Sequence, residues 1–151
     1  MNPRIVTSIV GTVILVLGLA GLIYPELVMA HLLGFAVDPS HGHNAVLGEV
    51  RATYGGLFVV MGVYALLSAA DPAANRGRLL FIGLLWLGAC AGRLLGVYLD
   101  GDPGLTGWVG VAFELIMGSA LVIVSFRKPV TVTVTAPSPS PQVVSAQSGS
   151  V

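Results

Sequence analysis

The sequence predicts an all-α fold, in which four helices cross a membrane and pack as a bundle. Three observations predict it: four long apolar runs, a charged fraction of only 9%, and a mean hydropathy of +0.90. Soluble domains contain about 25% charged residues, and a soluble chain with so few charges would expose large apolar patches and aggregate. A bilayer removes that difficulty because it solvates apolar surface.

Each of the four apolar runs is long enough to cross a hydrocarbon core, which needs about 20 helical residues. The predicted spans are residues 5–23, 45–70, 79–99 and 105–126. Transmembrane β-strands alternate apolar and polar residues over about ten positions, whereas these runs are longer and do not alternate. Helices fit instead, because they satisfy their own backbone hydrogen bonds, as lipid requires. The spans predict one membrane domain over residues 1–128.

The first run has a second interpretation, because a cleavable signal peptide also places an apolar segment behind a basic residue. Arg4 precedes the run, and Val28–Ala30 resembles a weak cleavage site. The apolar stretch is longer than the core of a usual signal peptide, which is about 7–15 residues. We therefore favour an uncleaved membrane span.

The basic residues predict the orientation of the chain, because lysine and arginine accumulate in cytoplasmic loops. With four spans, all the flanking basic residues fall on one face of the membrane: Arg4, Arg76, Arg78, Arg127 and Lys128. The opposite loops contain no lysine or arginine. Their acidic residues are Glu26, Asp38, Asp100 and Asp102. The pattern predicts that both termini are cytoplasmic.

Two further segments lie outside the spans. Pro25–Phe35 begins with proline, a common first residue of a helix, and is apolar but too short to span. It predicts a short interfacial or re-entrant helix on the outer face, after the first span. Residues 129–151 are rich in proline, serine and glutamine, which predicts a disordered cytoplasmic tail.

Four charged residues lie within the predicted spans: Glu49, Arg51, Arg93 and Glu114. A helix rises about 1.5 Å per residue, which places all four in the outer half of the bilayer. A charge at the bilayer centre costs about 2.5–3.5 kcal/mol on insertion scales, so such residues usually face the bundle interior and pair. Arg93 and Glu114 are the most specific predicted pair, because a short loop makes their spans antiparallel neighbours. The planar guanidinium of arginine also matches the geometry of a carboxylate.

On the second span, Arg51 and Tyr54 share a face at 100° per residue, while Glu49 points almost oppositely. The Tyr54 phenol can donate a hydrogen bond to a carboxylate. We therefore predict an outer-half polar cluster of Glu49, Arg51, Tyr54, Arg93 and Glu114. The cluster has two main interpretations. It fixes the register of the helices, or it is a site for a ligand or a proton. Snorkelling of Glu49 and Arg51 to the headgroups is a third.

Stripes of small residues support the inward assignment of these charges, because they let membrane helices approach closely. The stripes run along the first, third and fourth spans: Thr7, Gly11, Gly18 and Gly21; Gly88, Gly92 and Gly96; Gly107, Gly110 and Gly118 around Glu114. We expect all three stripes to face neighbouring helices.

Other features narrow the function classes. Seven basic and seven acidic residues balance, so no basic field predicts nucleic-acid binding. The sequence contains no phosphate loop and no HExxH, and no nucleophile–base arrangement indicates catalysis. The single cysteine, Cys90, cannot form an intrachain disulfide. His31, His41 and His43 are weak evidence for a metal site, and a solvated loop is preferred, so we predict no catalytic residue, metal or cofactor.

Several motifs together carry a resemblance to a known family. These are Glu49–Gly56, which reads EVRATYGG, Gly92 with Arg93, Asp100 with Gly101, and Phe113–Leu115. They resemble an uncharacterised bacterial domain-of-unknown-function family, number 4345, of small four-span membrane proteins, which is loosely similar to DoxX-like proteins. The resemblance covers roughly residues 5–126 and implies a helical bundle in the bacterial inner membrane. Some DoxX-like relatives are linked to quinone-dependent redox chemistry.

Two functions follow as hypotheses, and a third, that of an enzyme, is disfavoured because the sequence shows no catalytic constellation. In the first, the bundle binds or transports a small lipophilic or anionic solute that meets the outer-half cluster. In the second, the protein is a structural or assembly subunit of a quinone-linked membrane redox complex. The expected partners are the lipid bilayer, a lipid, quinone or small-solute ligand, and a membrane protein or a second copy of the chain.

Overall fold

The computed structural model describes residues 2–34 and 43–127. Within these ranges four helices are long and apolar enough to cross a membrane: Pro3–Ile23, Asn44–Ala69, Arg76–Asp100 and Gly104–Ser125. All four predicted spans are confirmed as apolar helices, and each end lies close to its predicted position. The predicted tail and His41 lie outside the described residues.

Side-chain oxygens cap the start of the first helix and hold the turn before the last one. Helix α1, Pro3–Ile23, starts with proline, and the Asn2 side chain accepts a hydrogen bond of 3.0 Å from the Arg4 backbone N–H. Helix α5 is Arg76–Asp100 and helix α6 is Gly104–Ser125. In the loop between them, Asp102 Oδ1 accepts from the Gly104 backbone N–H at 3.1 Å and from Trp108 Nε1 at 2.9 Å. These bonds hold a tight antiparallel turn.

The segment after the first span is helical, as predicted, but it is mostly a π-helix. Helix α2, Pro25–Leu27, continues into the π-helix π1, Val28–Leu33. The segment ends at Gly34, whose φ of 72° is a conformation that favours glycine. The location of this segment at the membrane interface stays a prediction.

The second span is interrupted by another π-helix, which the sequence analysis did not predict. The span consists of α3, His43–Val50, then π2, Arg51–Leu57, then α4, Phe58–Ala69. The π2 segment coincides with the RATYGG motif. A π-helix bonds residue i to i+5, so its turns are wider than α turns, and such segments occur frequently at functional sites.

The helices form a ring of four. Helix α1 packs along π2 and α4, α5 packs along α6, and contacts of α4 with α5 and of α1 with α6 close the ring. We call the end with Arg4, Arg76, Arg78 and Arg127 the basic end, and the end with Glu26, Asp100 and Asp102 the acidic end. The main core joins all four helices: Val6, Val10, Ile14, Met61, Ala65, Leu79, Ile82, Trp86, Leu121 and Val124.

Glycines bring α1 close to the second span, as its stripe predicts. Gly11, Gly18 and Gly21 are buried, and a Cβ atom on Gly18 would lie only 2.5 Å from the Val59 backbone nitrogen. On α6, Gly118 similarly packs on α5, where its Cβ would lie 2.9 Å from the Gly83 carbonyl oxygen. These contacts match the role of small residues between membrane helices.

The stripe on α5 behaves differently, and the prediction that it faces a neighbouring helix is wrong. Within residues 2–34 and 43–127, a Cβ atom on Gly88 or Gly92 would meet nothing within 4 Å, and one on Gly96 would meet only the Asp100 side chain of the same helix. Helix α5 instead buries the face that carries Trp86 and Cys90. Gly92 precedes Arg93 by one residue, so it lies about 100° around the helix. Because Arg93 points inward, the stripe of Gly88, Gly92 and Gly96, called the α5 ridge below, points away from the bundle.

Candidate functional site

The predicted ion pair lies between α5 and α6. Arg93 Nε donates a hydrogen bond of 2.7 Å to Glu114 Oε1. The Glu114 side chain is only 8% exposed and that of Arg93 is 33% exposed. A charge-assisted bond of this length is among the stronger kinds, and each charge neutralises the other in an apolar setting.

Two neighbours complete this arrangement. Gly110, one turn before Glu114 on α6, leaves room for the guanidinium, because a Cβ atom there would lie 3.3 Å from Arg93 Cζ. Tyr54, in π2, lines the same cavity as Arg93 and Glu114. The structure therefore brings together three of the five predicted cluster residues, which are Tyr54, Arg93 and Glu114.

Arg51 and Glu49 are placed elsewhere. Arg51 is exposed and lines a separate depression with Tyr24 and Glu26 near the start of α2. Glu49 is also exposed. The expectation that Arg51 and Tyr54 share a face assumed a regular α-helix, and the wider turn of π2 removes the basis for that expectation.

A cavity of about 300 Å³ adjoins the ion pair, a volume in the lower range of small-molecule sites. Its polar lining residues are His31, Tyr54, Arg93, Thr106 and Glu114; its apolar ones are Leu17, Leu33, Phe58, Trp86, Leu105, Val109, Gly110 and Phe113. All four spans and π1 contribute to this lining. The cavity therefore has mostly apolar walls with a few polar groups, which is usual for a site that binds a small molecule.

Aromatic rings form a continuous wall of this cavity. The ring centroids of Tyr54 and Phe58 are 5.6 Å apart, those of Phe58 and Trp86 are 4.9 Å apart, and those of Trp86 and Phe113 are 5.4 Å apart. The outer two contacts are edge-to-face, a preferred geometry for aromatic pairs. The wall links the second span, α5 and α6.

Two buried polar atoms in the lining residues have no hydrogen-bond partner in the part of the chain that the structure describes. They are Glu114 Oε2 and Trp86 Nε1. Leaving a buried donor or acceptor unsatisfied costs about 1–3 kcal/mol, and native proteins contain few such groups. The sequence analysis did not include Trp86 among the cluster residues, so its unsatisfied indole N–H is a new feature of the site.

The mouth of the cavity lies towards the acidic end, beside the N-terminal turns of α6. Leu105 is 82% exposed and Val109 is 59% exposed, and His31 in π1 is exposed as well. Arg93 also lines a second depression, of about 280 Å³, together with Asp100 and Asp102. Arg93 thus lies between an acidic surface depression and an apolar cavity.

The histidines take no part in a metal cluster within residues 2–34 and 43–127, where no group of three or more candidate metal ligands occurs. His31 instead lines the cavity. Sequence reasoning also missed Phe58 and Phe113 as lining residues. The sequence contains one indication of the aromatic lining: Trp86 lies seven residues before Arg93 and therefore on the same helix face.

These features define a class, a multi-pass membrane protein whose helical bundle encloses a buried ion pair beside a cavity. The chain belongs to the family described as Domain of unknown function (DUF4345), whose sequence profile matches residues 3–125. The resemblance that the motifs indicated is thereby confirmed. Neither a curated protein nor a solved structure matches the chain.

Proposed function

We propose that this protein binds a small lipophilic molecule in the cavity beside the Arg93–Glu114 pair, within the inner membrane of a bacterium. The observation that carries the proposal is the cavity itself, whose apolar and aromatic walls surround a polar end. Sites of this composition bind apolar molecules and orient them with a few polar groups.

The ion pair favours a neutral ligand over an anionic one. Arg93 already donates to Glu114 at 2.7 Å, so its charge is compensated. An anion would compete with the Glu114 carboxylate for the guanidinium and would lose its hydration in an apolar space. Of the two solutes that the sequence suggested, the geometry therefore supports the lipophilic one.

The packing supports binding rather than passage through the bundle. On the basic-end side of the cavity, Ile14, Leu79 and Leu121 are 0% exposed and fill the space between the helices. Access is instead beside Leu105 and Val109, whose exposure on a membrane-spanning helix suits entry from the surrounding lipid.

A bulky substitution at the mouth tests the proposal. We expect native mass spectrometry of the protein, purified in mild detergent, to show a bound apolar molecule that Val109→Trp removes. Ile116→Trp is the matched control, because Ile116 lies on the same helix, is similarly exposed at 64%, and does not line the cavity. Adducts of equal intensity in all three proteins would contradict binding in this cavity, and so would the absence of any adduct from the wild type.

One observation favours a second function, that of a structural or assembly subunit. The Gly88–Gly92–Gly96 ridge faces away from the bundle and leaves a groove on α5, and small-residue ridges commonly receive another membrane helix. In the same spectra, this function predicts the mass of a second polypeptide that survives the Val109→Trp substitution.

The orientation is also part of the proposal. Arg4, Arg76, Arg78 and Arg127 flank the basic end, which supports a cytoplasmic location for that end and an outer-leaflet location for the cavity mouth. A reporter fused after Lys128 should give a cytoplasmic signal, and one inserted within residues 38–44 should give an external signal. Two signals from the same side would refute the four-span topology.

A further inference from the structure

We infer that the ligand of this cavity carries a hydroxyl group on an aromatic ring, as a neutral phenol with an apolar tail does. The inference rests on the proposed function and specifies the head group that the cavity recognises. It is drawn from the two unsatisfied atoms, the aromatic wall, the balanced charges and the position of the mouth.

The unsatisfied atoms define what the head group must do. Among the described residues, Glu114 Oε2 is an acceptor without a donor, and Trp86 Nε1 is a donor without an acceptor. A hydroxyl group is the smallest group that both donates and accepts. Both side chains line the cavity, and one hydroxyl group would supply both missing partners where the side chains turn the two buried atoms towards it. A ketone or an ether satisfies only Trp86, and an alkyl chain satisfies neither.

The wall defines what carries the hydroxyl. Phe58, Trp86 and Phe113 line the cavity with ring centroids 4.9 and 5.4 Å apart. Aromatic rings gain additional energy from edge-to-face and offset contacts with another ring, beyond the burial of area. A planar ring therefore complements this wall better than an alkyl chain does.

The ion pair in the cavity lining excludes the ionised form of such a ligand. Glu114 lines the cavity as the acidic member of a neutral ion pair, so a phenolate or a carboxylate would bring a second anion to an existing one. The cavity, at about 300 Å³, accommodates one substituted ring, and a longer tail would leave past Leu105 and Val109 into lipid. The site thus fits a neutral phenolic head with a lipophilic tail.

Three probes of similar shape separate the alternatives: 4-octylphenol, octylbenzene and 4-octylbenzoate, each titrated into the delipidated protein in one detergent by calorimetry. We expect 4-octylphenol to bind at least roughly fivefold more tightly than octylbenzene, because only the phenol satisfies the buried atoms. The benzoate should bind most weakly. Replacing Trp86 with phenylalanine keeps a ring but removes the indole N–H, and it should reduce the ratio of the phenol affinity to the octylbenzene affinity.

Trp108→Phe is the matched control, because Trp108 is the other tryptophan and lies outside the cavity lining; it should leave the ratio unchanged. Equal binding of phenol and octylbenzene would overturn the head-group inference and leave the proposed function standing. Tighter binding of the benzoate would also overturn it and would assign the site to anions. If no probe binds in the wild type, both the inference and the proposed function fail.

Discussion

Replacing Arg93 with methionine is expected to lower the free energy of unfolding by about 3–5 kcal/mol, because it leaves the buried Glu114 carboxylate without its partner. The Glu114 side chain is only 8% exposed, so water compensates poorly for the loss of the guanidinium. The double variant Arg93→Met/Glu114→Gln removes both charges and should lose less stability than Arg93→Met alone. The measurement is chemical denaturation of each variant in one detergent at one pH.

Arg76→Met is the control for this series, because Arg76 is exposed at the start of α5. Its effect should stay within about 0.5 kcal/mol, as is usual for surface substitutions. If the losses of unfolding free energy from Arg93→Met and Glu114→Gln simply add in the double variant, the two side chains are not coupled. The ion pair would then contribute no interaction energy to the fold. A double variant that folds but no longer binds 4-octylphenol would indicate that the pair serves the ligand as well as the fold.

The second large effect is expected at Gly62, where α4 meets α1. A Cβ atom there would lie 2.6 Å from the Leu15 backbone nitrogen and 2.7 Å from its Cα. Backbone atoms cannot move aside as a flexible side chain can, so the two helices would have to separate. Overpacking of this kind costs about 1–3 kcal/mol, and we expect Gly62→Ala to lose that much in the same denaturation experiment.

Gly92→Ala is the matched control, since it makes the same chemical change on α5 with no atom within 4 Å. Alanine is favoured over glycine in a helix by up to about 1 kcal/mol, so this variant should be as stable as the wild type or more stable. Equal losses at both positions would show that the outward direction of the α5 ridge is incorrect.

The sequence predicts the spans and the ion pair because each depends on local or nearest-neighbour physics. Lipid requires long uninterrupted apolar helices, which composition shows directly. Arg93 and Glu114 lie at similar depths on consecutive helices joined by a short loop, so antiparallel packing brings them to one level. An isolated charge in lipid is costly, and this cost made pairing the expected outcome.

The cavity and the rotation of α5 about its axis depend on how whole helices pack, so local sequence patterns do not predict them. The spacing of Gly88, Gly92 and Gly96 is typical of a contact face, yet Trp86 and Arg93 compete for the inward direction and occupy it. The π-helical turn at Arg51–Leu57 changes which side chains share a face. A cavity is a defect of packing among four helices, so no local motif encodes it.

The indole N–H signals of the two tryptophans give the most direct test of binding in this cavity. In protein labelled with ¹⁵N-tryptophan, Trp86 lies in the cavity wall with an unsatisfied N–H, whereas Trp108 already donates to Asp102. We predict that titration with 4-octylphenol shifts the Trp86 indole signal in the direction of a stronger hydrogen bond and leaves the Trp108 signal in place. An unmoved Trp86 signal at saturating probe, or equal shifts of both signals, would contradict binding in the cavity.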